Sequence, residues 1–208
     1  DYLRGQIARS TDMGWTWSGI SIGGSSQSVN DICSVPGSPG NAWAVGRAKT
    51  GSTSLRAWFW NTSDSGLSWG DDDMITTSSE VFRISVCTSD PSRLFAAGKM
   101  NGPTVPLLLC SANGGVRWTV QTPVAALSDS IGLSVAVSPE NPLIVLFSTR
   151  HNLYRSADGA QTWTVVSSED WLRDIEFSQT HADLVFAGGN GAVLRSSNAG
   201  ATWTRETV

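Results

Sequence analysis

Asp31 and Asp174 occupy the same place in two repeated segments of this chain, each near the start of a short apolar run. Two carboxyl groups facing one sugar are what glycoside hydrolysis requires, one as acid and the other as nucleophile or base. Arg83 and Ser134 stand at the same repeat position, so all four side chains are expected towards one end of a central channel. Polar residues lining a water-filled channel explain the same acids without catalysis, and that is the preferred reading. A second group, Arg47, Lys49, Lys99, Arg150 and His151, is expected on loops of the same face. It forms a basic rim suited to an anionic group or an acidic partner surface, with plainly solvated loops as the alternative. Asp71-Asp72-Asp73 has hard oxygen donors of the kind calcium takes, although three acids on a loop serve solubility equally. His151 and His181 lack a third ligand at zinc spacing, so neither a metal nor a cofactor is expected. Cys33, Cys87 and Cys110 are odd in number and lack metal-type spacing. A Cys33–Cys87 bridge would join comparable strands, but three buried free thiols are the preferred state. Gly188-Gly189-Asn190-Gly191 fits a hairpin turn rather than a phosphate cradle, and no nucleophile-elbow pattern occurs among the serines.

The elements that must position these groups are announced by a refrain, Ser/Thr-x-Asp-x-Gly-x-Thr-Trp. Its copies begin at Ser10, Thr62, Ser111, Ser156 and Ser196 and end at Trp17, Trp69, Trp118, Trp163 and Trp203. A period of roughly 40–50 residues signals a solenoid, a propeller or an array. The third place holds Asp12, Asp64, Asn113, Asp158 and Asn198. Because Asn replaces Asp in two copies, this place calls for a hydrogen-bond acceptor that holds a turn, not for an acid. Gly in the fifth place supplies positive φ; the fourth copy has Ala160 there, and Gly159 is expected to provide the freedom instead. The closing Trp is a large plate to bury between sheets.

Upstream of each Trp lie apolar runs such as Asp31-Ile32-Cys33-Ser34-Val35, Leu94-Phe95-Ala96-Ala97-Gly98 and Asp174-Ile175-Glu176-Phe177, separated by turns such as Asp90-Pro91 and Asn141-Pro142. Four strands per unit, repeated about an axis, describe an all-β propeller of four-stranded antiparallel blades. Residues 1–208 are expected to form a single such unit, with four complete blades plus two strands. That count makes either a five-bladed ring with unusual closure or an arc of a larger propeller, and the arc is preferred. Trp58-Phe59-Trp60 is expected to pack within a blade.

Composition narrows the function classes. Charged residues make up 15% of the 208 residues, with 21 Gly and 10 Trp, a profile of short strands and turns. A net charge of −4 gives no support to nucleic-acid binding. No apolar run approaches the length of a membrane span, so no membrane insertion is expected. Basic residues are twelve Arg and two Lys, a bias suited to bidentate polar contacts. The chain does not begin with Met, as expected of a processed chain or a fragment. An extracellular, surface or organelle-lumen setting is favoured.

The refrain resembles the Asp-box, or BNR repeat, over nearly the whole chain. That repeat occurs in sialidases, xyloglucan-degrading endoglucanases, sortilin-type receptors and the photosystem II assembly-factor family. The last unit, from Leu172-Arg173-Asp174-Ile175-Glu176-Phe177 to Trp203, is most similar to the assembly-factor and endoglucanase style of blade. The resemblance implies a propeller and says little about activity. A sialidase would need an arginine triad, a Tyr nucleophile with a Glu partner, and an Asp acid. Phe82-Arg83-Ile84 resembles its Arg-bearing strand, but Ser85 stands where Pro belongs, and only Tyr2 and Tyr154 are available. The endoglucanases use two facing propellers, more than this chain supplies. The expected function is therefore a non-catalytic binding or assembly module for a protein or glycan partner, with Arg47, Arg83, Arg150 and His151 as binding residues and Trp58 and Trp171 as further contacts. The alternatives are part of a glycan-cleaving hydrolase, with Asp31 and Asp174 as acids, and a structural module of a larger surface or particle protein.

Overall fold

The computed structural model describes residues 4–25, 27–50, 54–72, 78–123 and 128–206. All regular structure is antiparallel sheet, and no α-helix occurs among the described residues. The first sheet pairs β1 (Arg4–Arg9) with β2 (Ser18–Ser25). Four meanders of four strands come after it. They are β3 (Gln27–Ser34), β4 (Ala42–Thr50), β5 (Ser54–Thr62) and β6 (Gly70–Asp72); then β7 (Ser79–Val86), β8 (Leu94–Asn101), β9 (Thr104–Ser111) and β10 (Thr119–Val120). The last two are β11 (Gly132–Val137), β12 (Val145–Thr149), β13 (Leu153–Ser156) and β14 (Thr164–Ser167), then β15 (Leu172–Phe177), β16 (Val185–Gly189), β17 (Ala192–Ser196) and β18 (Thr204–Glu206). Sheets of this form stacked through apolar seams are propeller blades, as the repeat period predicts.

The core consists of those seams. Phe59 and Val45 of one blade meet Val81, Ile84 and Leu94 of the next. Phe95 and Leu108 meet Val135 and Phe147, and Leu146 and Leu153 meet Leu172, Ile175 and Val185. Four of the refrain Trp residues enter the seam between their own blade and the preceding sheet: Trp69 beside Ile7 and Ile22, Trp118 against Phe59 at 4.7 Å between ring centres, Trp163 with Phe95 and Phe147, and Trp203 with Leu146. Trp17 departs from the expectation of burial and is 63% exposed. Its sheet is the first, so no preceding blade covers it among the described residues. Phe59 and Trp60 of β5 are fully buried, so the Trp58-Phe59-Trp60 run packs within the blades.

All five refrains close by one hydrogen-bond scheme. The first-place hydroxyl accepts from the fifth-place N–H, as Ser10 Oγ does from Gly14 at 2.8 Å and Ser196 Oγ from Gly200 at 2.9 Å. The same hydroxyl donates to the third-place side chain, for example Thr62 to Asp64 at 2.7 Å. That side chain accepts the seventh-place N–H, at 2.8 Å in Thr16→Asp12 and Arg117→Asn113. In the Asp copies the seventh-place hydroxyl donates to the second carboxylate oxygen, at 2.6 Å for Ser68→Asp64. Asn198 reverses that last bond, donating its Nδ2–H to Thr202 Oγ1 at 2.8 Å, so Asp and Asn serve one turn. The expectation for Gly159 needs correction. Ala160 itself takes φ +74°, and the fourth place is left-handed in every copy as well, including Met13, Ser65 and Ala199. Two consecutive left-handed residues thus close the turn in every copy, and in the four complete blades the fourth-place N–H also reaches back to the blade's own first connection, as in Ser65→Gly40 at 2.9 Å and Ala199→Asp183 at 2.8 Å.

Cys33, Cys87 and Cys110 are free thiols. Cys33 is half-buried, and burial pushes its thiol up to about 12. Tyr154 is buried beside Phe147; Tyr2 and Asp73 lie outside the described residues, as do the side chains of Asp71 and Asp72. Among the described residues no helix is long and apolar enough to cross a membrane.

Candidate functional site

A bulge recurs in the innermost strand of every complete blade, between Val29 and Asp31, Val81 and Arg83, Gly132 and Ser134, and Leu172 and Asp174. The extra residue sharpens the local twist and re-aims the next side chain along the strand. The residues just past the bulge are Asp31, Arg83, Ser134 and Asp174, the four grouped from their repeat position. All four line one cavity of about 690 Å³ bounded by the inner strands β3, β7, β11 and β15. In three of the four blades glycine opposite the bulge makes room for it: a Cβ on Gly98 would lie 1.9 Å from Glu80 O, and one on Gly189 would lie 1.9 Å from Trp171 O.

Within the cavity Asp31 is bound on both oxygens. Oδ1 accepts from Ile32 N–H at 2.9 Å and Oδ2 from Ile84 N–H of the neighbouring blade at 2.9 Å. Burial raises its pKa; the two hydrogen bonds and Arg83 oppose that shift, while Asp174 adds to it. Arg83 Nε stands 3.7 Å from Asp174 Oδ1, so a cation sits among the acids. Glu176 also lines the cavity, and burial followed by the Asp174 charge raises its pKa. The sequence reading missed Glu176, although it is two residues beyond Asp174 and so on the same side of the strand.

The basic rim differs from its expectation. Arg47 and Lys49 lie in β4 and Lys99 in β8, because these strands run further than predicted; Arg150 and His151 alone of the five occupy a turn. Arg47 Nη1 and Lys99 Nζ converge on Glu80, at 2.9 and 3.3 Å, and the Glu80 side chain is only 6% exposed. A buried carboxylate needs such partners, and the pairing of an acid in β7 with cations in two other strands is invisible in linear sequence. His151 Nδ1 meets Asp170 Oδ1 at 2.9 Å, and its backbone N–H donates to Asp129 Oδ2 at 3.0 Å. The Arg150 guanidinium carbon lies 5.1 Å from the Trp171 ring centre, and that of Arg173, also missed, lies 5.0 Å from it. Arg83 thus joins the acids in the cavity, whereas Arg47, Arg150 and His151 sit outside it. No group of three potential metal ligands occurs among the described residues.

No family model and no curated protein matches the chain. Solved structures do. An ancestral GH74 enzyme superposes with a TM-score of 0.61 at 20% identity, over 88% of this chain and 24% of its own. The GH74 xyloglucanase from Xanthomonas campestris gives 0.59 at 14% identity, over 94% and 38%. YCF48 bound to a D1 peptide gives 0.51 at 13% identity, over 86% and 80%. The chain therefore spans well under half of either GH74 protein. At such identities the likeness is one of fold, and the fold is that of a β-propeller.

Proposed function

We propose that residues 1–208 form one Asp-box propeller unit that acts as a non-catalytic binding or assembly module. The face at the start of the inner strands, with Arg47, Arg83, Arg150 and His151, meets a protein or glycan partner. The observation that carries this reading is the engagement of the acids a hydrolase would use. Both oxygens of Asp31 accept backbone N–H groups, one from the next blade, so its carboxylate ties blades together. YCF48, a propeller of similar fold, is seen bound to a D1 peptide, which supports a protein partner. The test is release of reducing ends from xyloglucan and of sialic acid from a sialoside, by the wild-type protein and by Asp174→Asn. No release above background is expected; release that disappears in Asp174→Asn would replace this reading with the second one.

That second reading is glycan hydrolysis, with Asp31 and Asp174 as the acids. It is favoured by the burial that raises the pKa of Asp31 and of Glu176 in the cavity that Asp174 also lines, since an acid with a raised pKa beside a second carboxyl group is the arrangement that acid–base chemistry uses.

A further inference from the structure

Arg47, Lys99, Arg83 and His151 each meet a carboxylate. Arg150 and Arg173 meet none among the described residues, and both side chains are exposed. Each guanidinium lies over the indole of Trp171 instead, at 5.1 and 5.0 Å from the ring centre. This keeps the two cations within twice that distance of each other. Stacking on the ring holds the guanidinium plane and leaves its N–H donors along the edge unused.

The Trp171 backbone is fixed in a way its side chain would not choose. Its φ is +57°, a costly value for a bulky residue and a mark of a position held by its surroundings. Trp171 N–H donates to Arg150 O at 2.8 Å, and its own carbonyl lies where a Cβ on Gly189 would clash. The hairpin turn of one blade and the entry to the next inner strand are thereby locked together, with Arg150 and Trp171 in register. Arg173 is the extra residue of the β15 bulge. Its counterpart Asn30 uses its amide to reach Val81 O of the next blade at 2.6 Å, and Leu133 is buried. In the last blade that position carries a cation on open surface.

We infer that the Arg150–Trp171–Arg173 stack is a docking site for an acidic segment of a protein partner, taking one or two Asp or Glu carboxylates on the guanidinium forks. This rests on the binding-module reading above. Two uncompensated forks on open surface match carboxylate geometry, and Arg with Trp is the composition of an interface hot spot. The flanking acids Asp170 and Asp174 and the net charge of −4 limit the patch to a short acidic stretch and oppose a long polyanion such as a nucleic acid.

The test is fluorescence anisotropy of a labelled hexaglutamate peptide against the full chain at low and physiological salt. Wild-type protein is expected to bind saturably and to weaken with salt. Arg150→Gln/Arg173→Gln should bind about tenfold or more weakly. Arg150→Lys/Arg173→Lys should fall between, because the charge stays and the fork is lost. Arg117→Gln, an exposed cation of the second blade with no part in the rim or the stack, should bind as wild type does. Equal affinity of the double Gln variant and wild type would overturn the site, as would tighter, stack-dependent binding of a nucleic acid of equal charge. Absence of saturable wild-type binding would also overturn it while leaving the binding-module reading in place, since that reading falls only to the hydrolysis assay.

Discussion

Whether the third place of the refrain holds Asp or Asn decides how the turn responds to acid. The Thr16 hydroxyl lowers the Asp12 carboxyl from 3.8 to about 2, with help from the Thr16 N–H and Ser10. Thr162 does the same to Asp158, again from 3.8 to about 2, and Ser68 holds Asp64 well below the ordinary range. The folded value lies below the unfolded one, so the unfolded chain binds more protons in this window. The stabilisation is complete above pH about 4 and is lost as pH falls towards 2. Asp158→Asn should keep the turn at neutral pH, because Asn198 closes the same turn with its amide. Its melting temperature should then fall less than that of wild type between pH 4 and 2; superimposable acid limbs would refute this account. The fourth place yields a second prediction. Ser65 is exposed at φ +62°. Ser65→Gly should raise stability by about 0.5–1 kcal/mol, the left-handed penalty less the entropy of glycine, as read from urea midpoints.

At the scale of the element, seam and bulge make separable demands. Trp118 lies at 4.7 Å from the Phe59 ring and edge-on to Trp43, at 84° between planes. Trp118→Ala should cost about 3–5 kcal/mol, whereas Trp17→Ala, at an exposed position, should cost under about 0.5 kcal/mol. Equal losses would mean that the Trp stabilises its own turn rather than the seam. Gly98→Ala, whose Cβ would meet Glu80 O at 1.9 Å, should cost about 2–3 kcal/mol or more and disturb Arg83, just past the bulge. Blades were legible in the sequence because the refrain and its Trp recur as side chains. The bulges were not, because one extra residue in an apolar run leaves the alternation nearly intact, and the glycine that permits it changes strand: Gly46, Gly98 and Gly189 sit on the second strand, but Gly132 lies on the inner strand opposite Thr149. Repeat position placed Asp31, Arg83, Ser134 and Asp174 in one cavity; it could not reveal Glu80 drawing Arg47 and Lys99 away from the rim, since that depends on three strands lying side by side.

For the whole molecule, the extensive sheet-to-sheet contacts among the described residues join each blade to its sequence neighbours, and only single side chains such as Arg83, which reaches Asp174 across the cavity, link blades further apart. The ends differ in kind from the middle. Strands β11 and β12 are buried on both faces. In the last blade Leu172, Ile175 and Leu194 enter a seam, while Phe186, Val193 and Arg195 are exposed. In the first sheet Gly5, Ile7 and Ile22 are buried, while Gln6, Ala8 and Ser21 are exposed. A stack of this kind has a stability close to a sum of blade and seam terms, and sheets with one seam open more readily than sheets with two. Native-state hydrogen exchange should therefore find the lowest protection in β1 and β2, intermediate protection in β15–β18, and the highest in β7, β8, β11 and β12. The Arg150–Trp171–Arg173 stack spans the last seam, so an acidic peptide bound there should raise protection in β15 and β16 more than in β3 and β4. Uniform protection from first sheet to last would mean that the ends are coupled as in a closed ring, and a peptide effect spread evenly over all blades would place the binding energy elsewhere than in that seam.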